Sequence, residues 1–160
     1  MPRRIGAKYL KSLALDVGAA RVGVAVSDAE GVLAFPHSTI HVYAFEQVAD
    51  EVADIVAQEA VQKIFVGLPI SDDGEESRYA AEVRRFVSIL RDALSSDFEQ
   101  NTDPNSPGVP EIVFVDERYT TKMAHNQLHE LGLQPSKSRS IVDQLAAVNI
   151  LSDALTKSQG

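Results

Sequence analysis

Two short runs with unbroken apolar centres, IFV within KIFVGLP (63–69) and IVFV within EIVFVDE (111–117), most constrain what this chain can fold into. Neither run alternates polar with apolar residues, so both sides of each strand need cover. Strands of that kind lie inside a parallel sheet with helices packed on its faces. The stretches that precede them carry helical spacing instead. Val48, Val52, Ile55 and Val56 recur among acids from Phe45 to Ala60. Ala80, Val83, Phe86, Val87 and Leu90 share one face of a helix expected from about Glu75 to Leu94.

The N-terminal part follows a different rule. Leu10 to Leu15 reads as a strand, and RVGVAVS (21–27) alternates and is rich in valine, as a second, antiparallel strand after a short turn would. GVLAFPHSTIHV (31–42) suggests a third strand, which Pro36 places partly at an edge. Near the C-terminus, TTKMAHNQLHELG reads as a short helix closed by Gly132, and a last helix is expected from about Ser140 to Thr156. Hairpin strands first and crossover units after them imply an α/β fold with a mixed five-stranded sheet flanked by helices. One domain spanning 1–160 accounts for the length, with residues 1–7 as a frayed tail and SSDFEQNTDPNSPGVP (95–110) as a polar surface loop.

Composition narrows the chemistry. With no cysteine there is no disulfide, thiolate nucleophile or cysteine zinc site. No apolar run is long enough to span a bilayer, and the basic start MPRRIGAKYLKS lacks a signal-peptide core, so no membrane partner and a cytosolic (cytoplasmic) location are expected. The net charge of −8 counts against a broad nucleic-acid-binding face, although basic residues gather at 3–11, 84–91 and 137–139.

Three of the acids stand out by position. Asp16 ends the first strand, Glu117 ends EIVFVDE, and Asp143 lies on the apolar side of the last helix, in line with Ala147, Ile150 and Ala154. If the strands carrying Asp16 and Glu117 are parallel, both acids emerge at the edge where ligands bind open α/β sheets. Each has an ordinary explanation: Asp16 as a turn residue before Gly18, Glu117 in an ion pair with Arg118 or Arg21, and Asp143 in a capping box with Ser140. Converging carboxylates, however, need a shared proton or a cation. No basic residue is evidently aimed at them from the sequence, so a hard divalent ion with oxygen ligands is the expectation: magnesium, with manganese as a substitute. Such an ion in an enzyme serves phosphate chemistry, with Arg21, Lys137 and Arg139 available to hold backbone phosphates, though each alone reads as ordinary surface charge.

Four blocks taken together resemble the YqgF (RuvX) family of bacterial pre-16S rRNA nucleases and Holliday-junction-resolvase-like proteins. LALDVGAARVGVAVSD matches through Asp16, Gly18, Arg21, Gly23, Ala25, Ser27 and Asp28. IFVGLPISDDGEESRYAAEVRRF matches through Gly67, Leu68, Pro69, Gly74 and Phe86. VFVDERYTT matches through Asp116, Glu117, Arg118, Thr120 and Thr121, and VDQLAAVNIL through Asp143, Ala146, Ala147, Ile150 and Leu151. The resemblance implies a ribonuclease H-like fold and Asp16, Glu117 and Asp143 as metal-binding catalytic acids; Gly18, Arg21, Arg118, Lys137 and Arg139 are the residues expected beside the substrate. It also implies RNA as partner, in the form of precursor 16S rRNA and ribosomal particles, with branched DNA as the alternative and a monomer or homodimer as the assembly. The loop 95–110 is longer than the family pattern suggests. Rival readings are a non-catalytic ribosome-assembly or transcription-associated binding module and an actin-like or sugar-kinase-like ATPase, the latter disfavoured because the chain has room for only one of the two domains required. His125 and His129 in HNQLH have metal-ligand spacing, but Asn126 stands where a zinc protease needs glutamate.

Overall fold

A computed structural model describes residues 10–106, 108–117 and 139–159. Strands β1 (Ser12–Val17), β2 (Arg21–Ser27) and β3 (Ala34–His41) are followed by helix α1 (Phe45–Glu59) and strand β4 (Lys63–Leu68). Helix α2 (Ala80–Gln100), strand β5 (Glu111–Asp116) and helix α3 (Arg139–Gln159) complete the order. The sheet runs β3-β2-β1-β4-β5. β2 is antiparallel to both β1 and β3, while β4 is parallel to β1 and β5. The hairpins and the crossovers therefore fall where the sequence pattern places them.

The two faces of the sheet are built differently, and this positions the site. Side chains alternate along a strand, so Leu13, Leu15 and Val17 point one way and Ala14 and Asp16 the other. The first face is bulky: Leu13, Leu15, Val22, Val24, Ile64, Val66 and Leu68 pack against Val48, Val52 and Val56 of α1 and Val83, Phe86 and Leu90 of α2. Phe86 is fully buried and meets Phe45 edge-on, with ring centroids 5.3 Å apart. The second face carries alanines on β1 and β2 where the first carries leucine and valine. Ala14, Ala25 and Phe65 receive Ala147, Ile150, Leu151, Ala154 and Leu155 of α3. Small side chains on both partners let α3 lie close to the sheet.

Several expected boundaries shift. β1 extends to Val17, so Asp16 lies inside the strand, one residue before its end. Helix α2 begins at Ala80 rather than near Glu75, because residues 69–79 close on themselves first. The Ser71 amide donates to the Glu75 carbonyl (2.7 Å), the Ser77 amide donates to the Pro69 carbonyl (2.9 Å), and Arg84 grips Glu76 with two hydrogen bonds. At its other end α2 continues through Ser95–Gln100, so the surface loop expected over 95–110 starts only at Asn101. Pro36 does sit on the edge strand, opposite Ala25 where the β2–β3 register slips. The tail 1–7, the short helix after Thr120 and the His125/His129 pair lie outside the described residues. Among the described residues, no helix is long and apolar enough to cross a membrane.

Candidate active site

The site grows from Asp16 and from what its two neighbouring strands lack. Across the β1–β2 ladder Asp16 faces Gly23. On the other side the last paired residues are Leu15 and Val66, so Gly67 stands one step further along β4, level with Asp16. Both glycines leave space that a third element fills. A β-carbon on Gly23 would run into the backbone carbonyl of Asp143, and one on Gly67 would run into the Glu117 carboxyl and approach Ile150 Cδ1 to 2.7 Å. The sheet thus carries a clearing around Asp16. The first turns of α3 lower Asp143 into one side of it, and Glu117 folds into the other.

Glu117 reaches that position because β5 has just ended. Its amide still donates to the Leu68 carbonyl at 3.3 Å, extending the β4–β5 ladder by one bond, and its side chain turns back over Gly67. There it shares a hydrogen bond with Asp16. Two carboxyl groups can do this only if one is protonated. The electrostatics agree. Burial, then the charge and hydrogen bond of Asp16, push the Glu117 carboxyl up to about 9. Burial also pushes Asp16 up, with a contribution from the Asp143 charge, although its hydrogen bond with Glu117 opposes the rise. Burial and the shared hydrogen bond thus favour a proton held between the two carboxyls.

Asp143 is held differently. Arg21 Nε donates to its Oδ2 at 2.7 Å. The two side chains are only 27% and 18% exposed, so this pair is shielded more than a surface salt bridge. Arg21 and Gly23 lie two residues apart on β2 and face the same way, which places the guanidinium beside the point where α3 comes down. The expectation that no basic residue is aimed at the acids is therefore corrected, and so is the pairing of Arg21 with Glu117. The β1–β2 turn explains Gly18 without a ligand: its amide donates to the Arg21 carbonyl at 2.9 Å, and a β-carbon there would lie 2.7 Å from that same oxygen. Asp16 is no turn residue either, since it lies within β1 and is engaged with Glu117.

The three acids singled out by position are thus gathered around one clearing at the carboxyl end of β1, β4 and β5. As arranged, no three histidine, aspartate or glutamate side chains among the described residues form a ready chelate. One acid is clamped by arginine, and the other two share a proton. The donor set is wholly oxygen and mostly carboxylate, which suits a hard divalent cation once that proton leaves. Arg118 and Lys137 lie outside the described residues, and the Arg139 side chain is likewise not described. Sequence reasoning gave Gly23 and Gly67 no structural role. A glycine inside an otherwise apolar strand is the signal that something approaches the backbone closely. It also passed over Tyr79, just before α2, whose phenol is pushed up by burial, by Glu82 and more weakly by Asp16 and Glu117.

Comparison with known proteins fits this geometry. Residues 10–157 match a family model described as RuvX, Holliday junction resolvase. A relative from Bifidobacterium longum subsp. infantis, named "Putative pre-16S rRNA nuclease", is 39% identical over 92% of this chain and 97% of its own length. One of the same name from Chloroflexus aurantiacus is 38% identical over 89% of this chain and 84% of its own. Among solved structures, Thermus thermophilus RuvC in complex with Holliday junction substrate superposes with a TM-score of 0.57 at 15% identity, covering 94% of this chain and 96% of that one. That likeness, with the strand order, gives the fold as ribonuclease H-like. With nearly the whole length matched by the family model and by relatives close to 40% identical, the chain belongs to the RuvX family.

Proposed function

We propose that this protein is a divalent-metal-dependent endonuclease that cleaves phosphodiester bonds of structured RNA, with the 5′ end of precursor 16S rRNA as its substrate. The observation that carries the proposal is the meeting of Asp16, Glu117 and Asp143 around one clearing at the carboxyl end of β1, β4 and β5, where burial and the neighbouring acids raise Asp16 and Glu117. The relatives' name supplies the RNA substrate.

The residues divide the work as follows. Asp16, Glu117 and Asp143 would hold magnesium or manganese, and none of them attacks the substrate. When bound, the ion would supply water activation and charge neutralisation at the leaving oxygen. Loading it requires the Asp16–Glu117 proton to leave, so ion binding and proton release are linked. Arg21, together with Arg118, Lys137 and Arg139, would hold the phosphate backbone next to the cut. Because the chain is acidic overall, these contacts have to be local.

A second reading, cleavage of branched DNA, is favoured by one observation, the family description as a Holliday junction resolvase. Cleavage assays with magnesium or manganese on a precursor 16S rRNA fragment and on a four-way DNA junction separate the two. Asp16→Asn and Asp143→Asn are expected to remain folded and lose cleavage of whichever substrate is cut. Cutting at the wild-type rate by both variants would remove these acids from the mechanism. Binding of ribosomal particles without cleavage of either substrate would favour a non-catalytic role.

A further inference from the structure

We infer that Arg21 is a positioning residue that fixes the Asp143 carboxylate for ion binding and at the same time presents its terminal amino groups to a substrate phosphate. The inference rests on the metal-dependent reading of the site. The hydrogen bond runs from Nε to Oδ2 alone. No bond from either terminal nitrogen to a protein acceptor, and none to Asp143 Oδ1, occurs among the described residues. An arginine that served only to neutralise an aspartate would be expected to grip it with two parallel N–H groups. Among the described residues this one spends a single side-chain donor and leaves its outer fork open.

The placement is built into β2. Arg21 lies one strand over from Asp16 and two residues before Gly23, whose missing side chain lets α3 descend. The Asp143 backbone is thereby fixed from below by Gly23, and its side chain is fixed laterally by Arg21. A carboxylate whose second oxygen is already hydrogen-bonded has its first oxygen oriented before an ion arrives. Loss of such an outer partner costs about 10- to 100-fold in metal affinity. The flat guanidinium can serve carboxylate and phosphate through different edges, which a lysine ammonium cannot do with equal geometry.

The test compares wild type, Arg21→Met, Arg21→Lys and Asp16→Asn, each confirmed as folded by circular dichroism. Manganese binding is followed by the electron paramagnetic resonance of the free ion, and kcat and KM are measured on the substrate that the wild type cleaves. Arg21→Met should weaken manganese binding by about 10- to 100-fold. Arg21→Lys should restore most of that affinity, because an ammonium can still hold Asp143, yet it should keep a raised KM because the fork is gone. That split is something a merely structural ion pair would not produce. Manganese bound by Arg21→Met as tightly as by wild type, or more tightly, would show that Arg21 competes with the ion and would overturn the inference. So would full recovery of KM in Arg21→Lys. Asp16→Asn separates the role of Arg21 from the existence of the metal site. If it abolishes manganese binding while Arg21→Met does not, only the role of Arg21 falls. If neither variant changes manganese binding, the metal site itself falls, and the inference falls with it.

Discussion

Replacing Glu117 by glutamine should make the ion-free protein more stable, and increasingly so as pH rises. In the folded chain this carboxyl titrates near 9 rather than near its ordinary 4.5, because burial and the neighbouring Asp16 oppose its ionisation. A raised acid favours folding fully below the unfolded value, and that contribution is lost as pH climbs toward the folded value. Each pH unit over which the folded chain keeps a proton that the unfolded chain has shed costs roughly 1.4 kcal/mol. The carboxyl therefore costs under about 1 kcal/mol at pH 5 and about 5 kcal/mol at pH 8. Glutamine has the same shape, can donate to Asp16 through its amide, and has nothing to ionise. Thermal unfolding in excess chelator at the two pH values measures the difference. At roughly 3 °C per kcal/mol for a domain of this size, Glu117→Gln should melt about 10–15 °C above wild type at pH 8 and within about 3 °C of it at pH 5. Millimolar magnesium should narrow the gap by stabilising only the wild type. An equal or lower melting temperature for the variant at pH 8 in chelator would refute the shared-proton pair.

Three further outcomes follow from the same geometry. Gly67→Ala should displace the Glu117 carboxyl and press on Ile150, destabilising the fold by about 1–3 kcal/mol and abolishing cleavage in protein that is still folded; activity assayed alongside circular dichroism checks this. Gly23→Ala should be the harsher change, because its β-carbon meets a main-chain carbonyl of α3 that cannot rotate away, and urea unfolding should give a loss of about 3 kcal/mol or more. Nucleic-acid binding should show a log–log salt slope of magnitude about 3–4, as expected if Arg21, Arg118, Lys137 and Arg139 each neutralise one phosphate and the rest of this acidic chain adds none; fluorescence anisotropy between 50 and 200 mM salt (about a fourfold range) reads it directly.

The order of elements along the chain and the positions of the three acids on them were legible because they follow local periodicity. The apolar runs at 63–69 and 111–117 demanded cover on two faces, and Asp143 sat in register with Ala147 and Ile150 on the packed side of its helix. The N-terminus of α2 was not legible. Glu75 to Tyr79 have helix-compatible composition, yet the Ser77–Pro69 hydrogen bond and the Arg84 grip on Glu76 tie them into the preceding loop. Its C-terminus was hidden for the opposite reason. Ser95 to Gln100 show almost no apolar periodicity, because this end of the helix projects into solvent. The Arg21–Asp143 pair joins residues 122 positions apart, and no local pattern announces a contact of that kind. The roles of Gly23 and Gly67 were equally hidden, since what each makes room for comes from another part of the chain.

The central claim is that Asp16, Glu117 and Asp143 together form one cation site. Crystals soaked in manganese, with anomalous scattering recorded at the metal edge, test it most directly. Anomalous density is expected in the clearing between Gly23 and Gly67, within bonding distance of all three carboxylates, with the Asp16–Glu117 hydrogen bond broken and Arg21 still on Asp143. A clearing free of manganese, with Asp16 and Glu117 still sharing their hydrogen bond at high manganese, would contradict it.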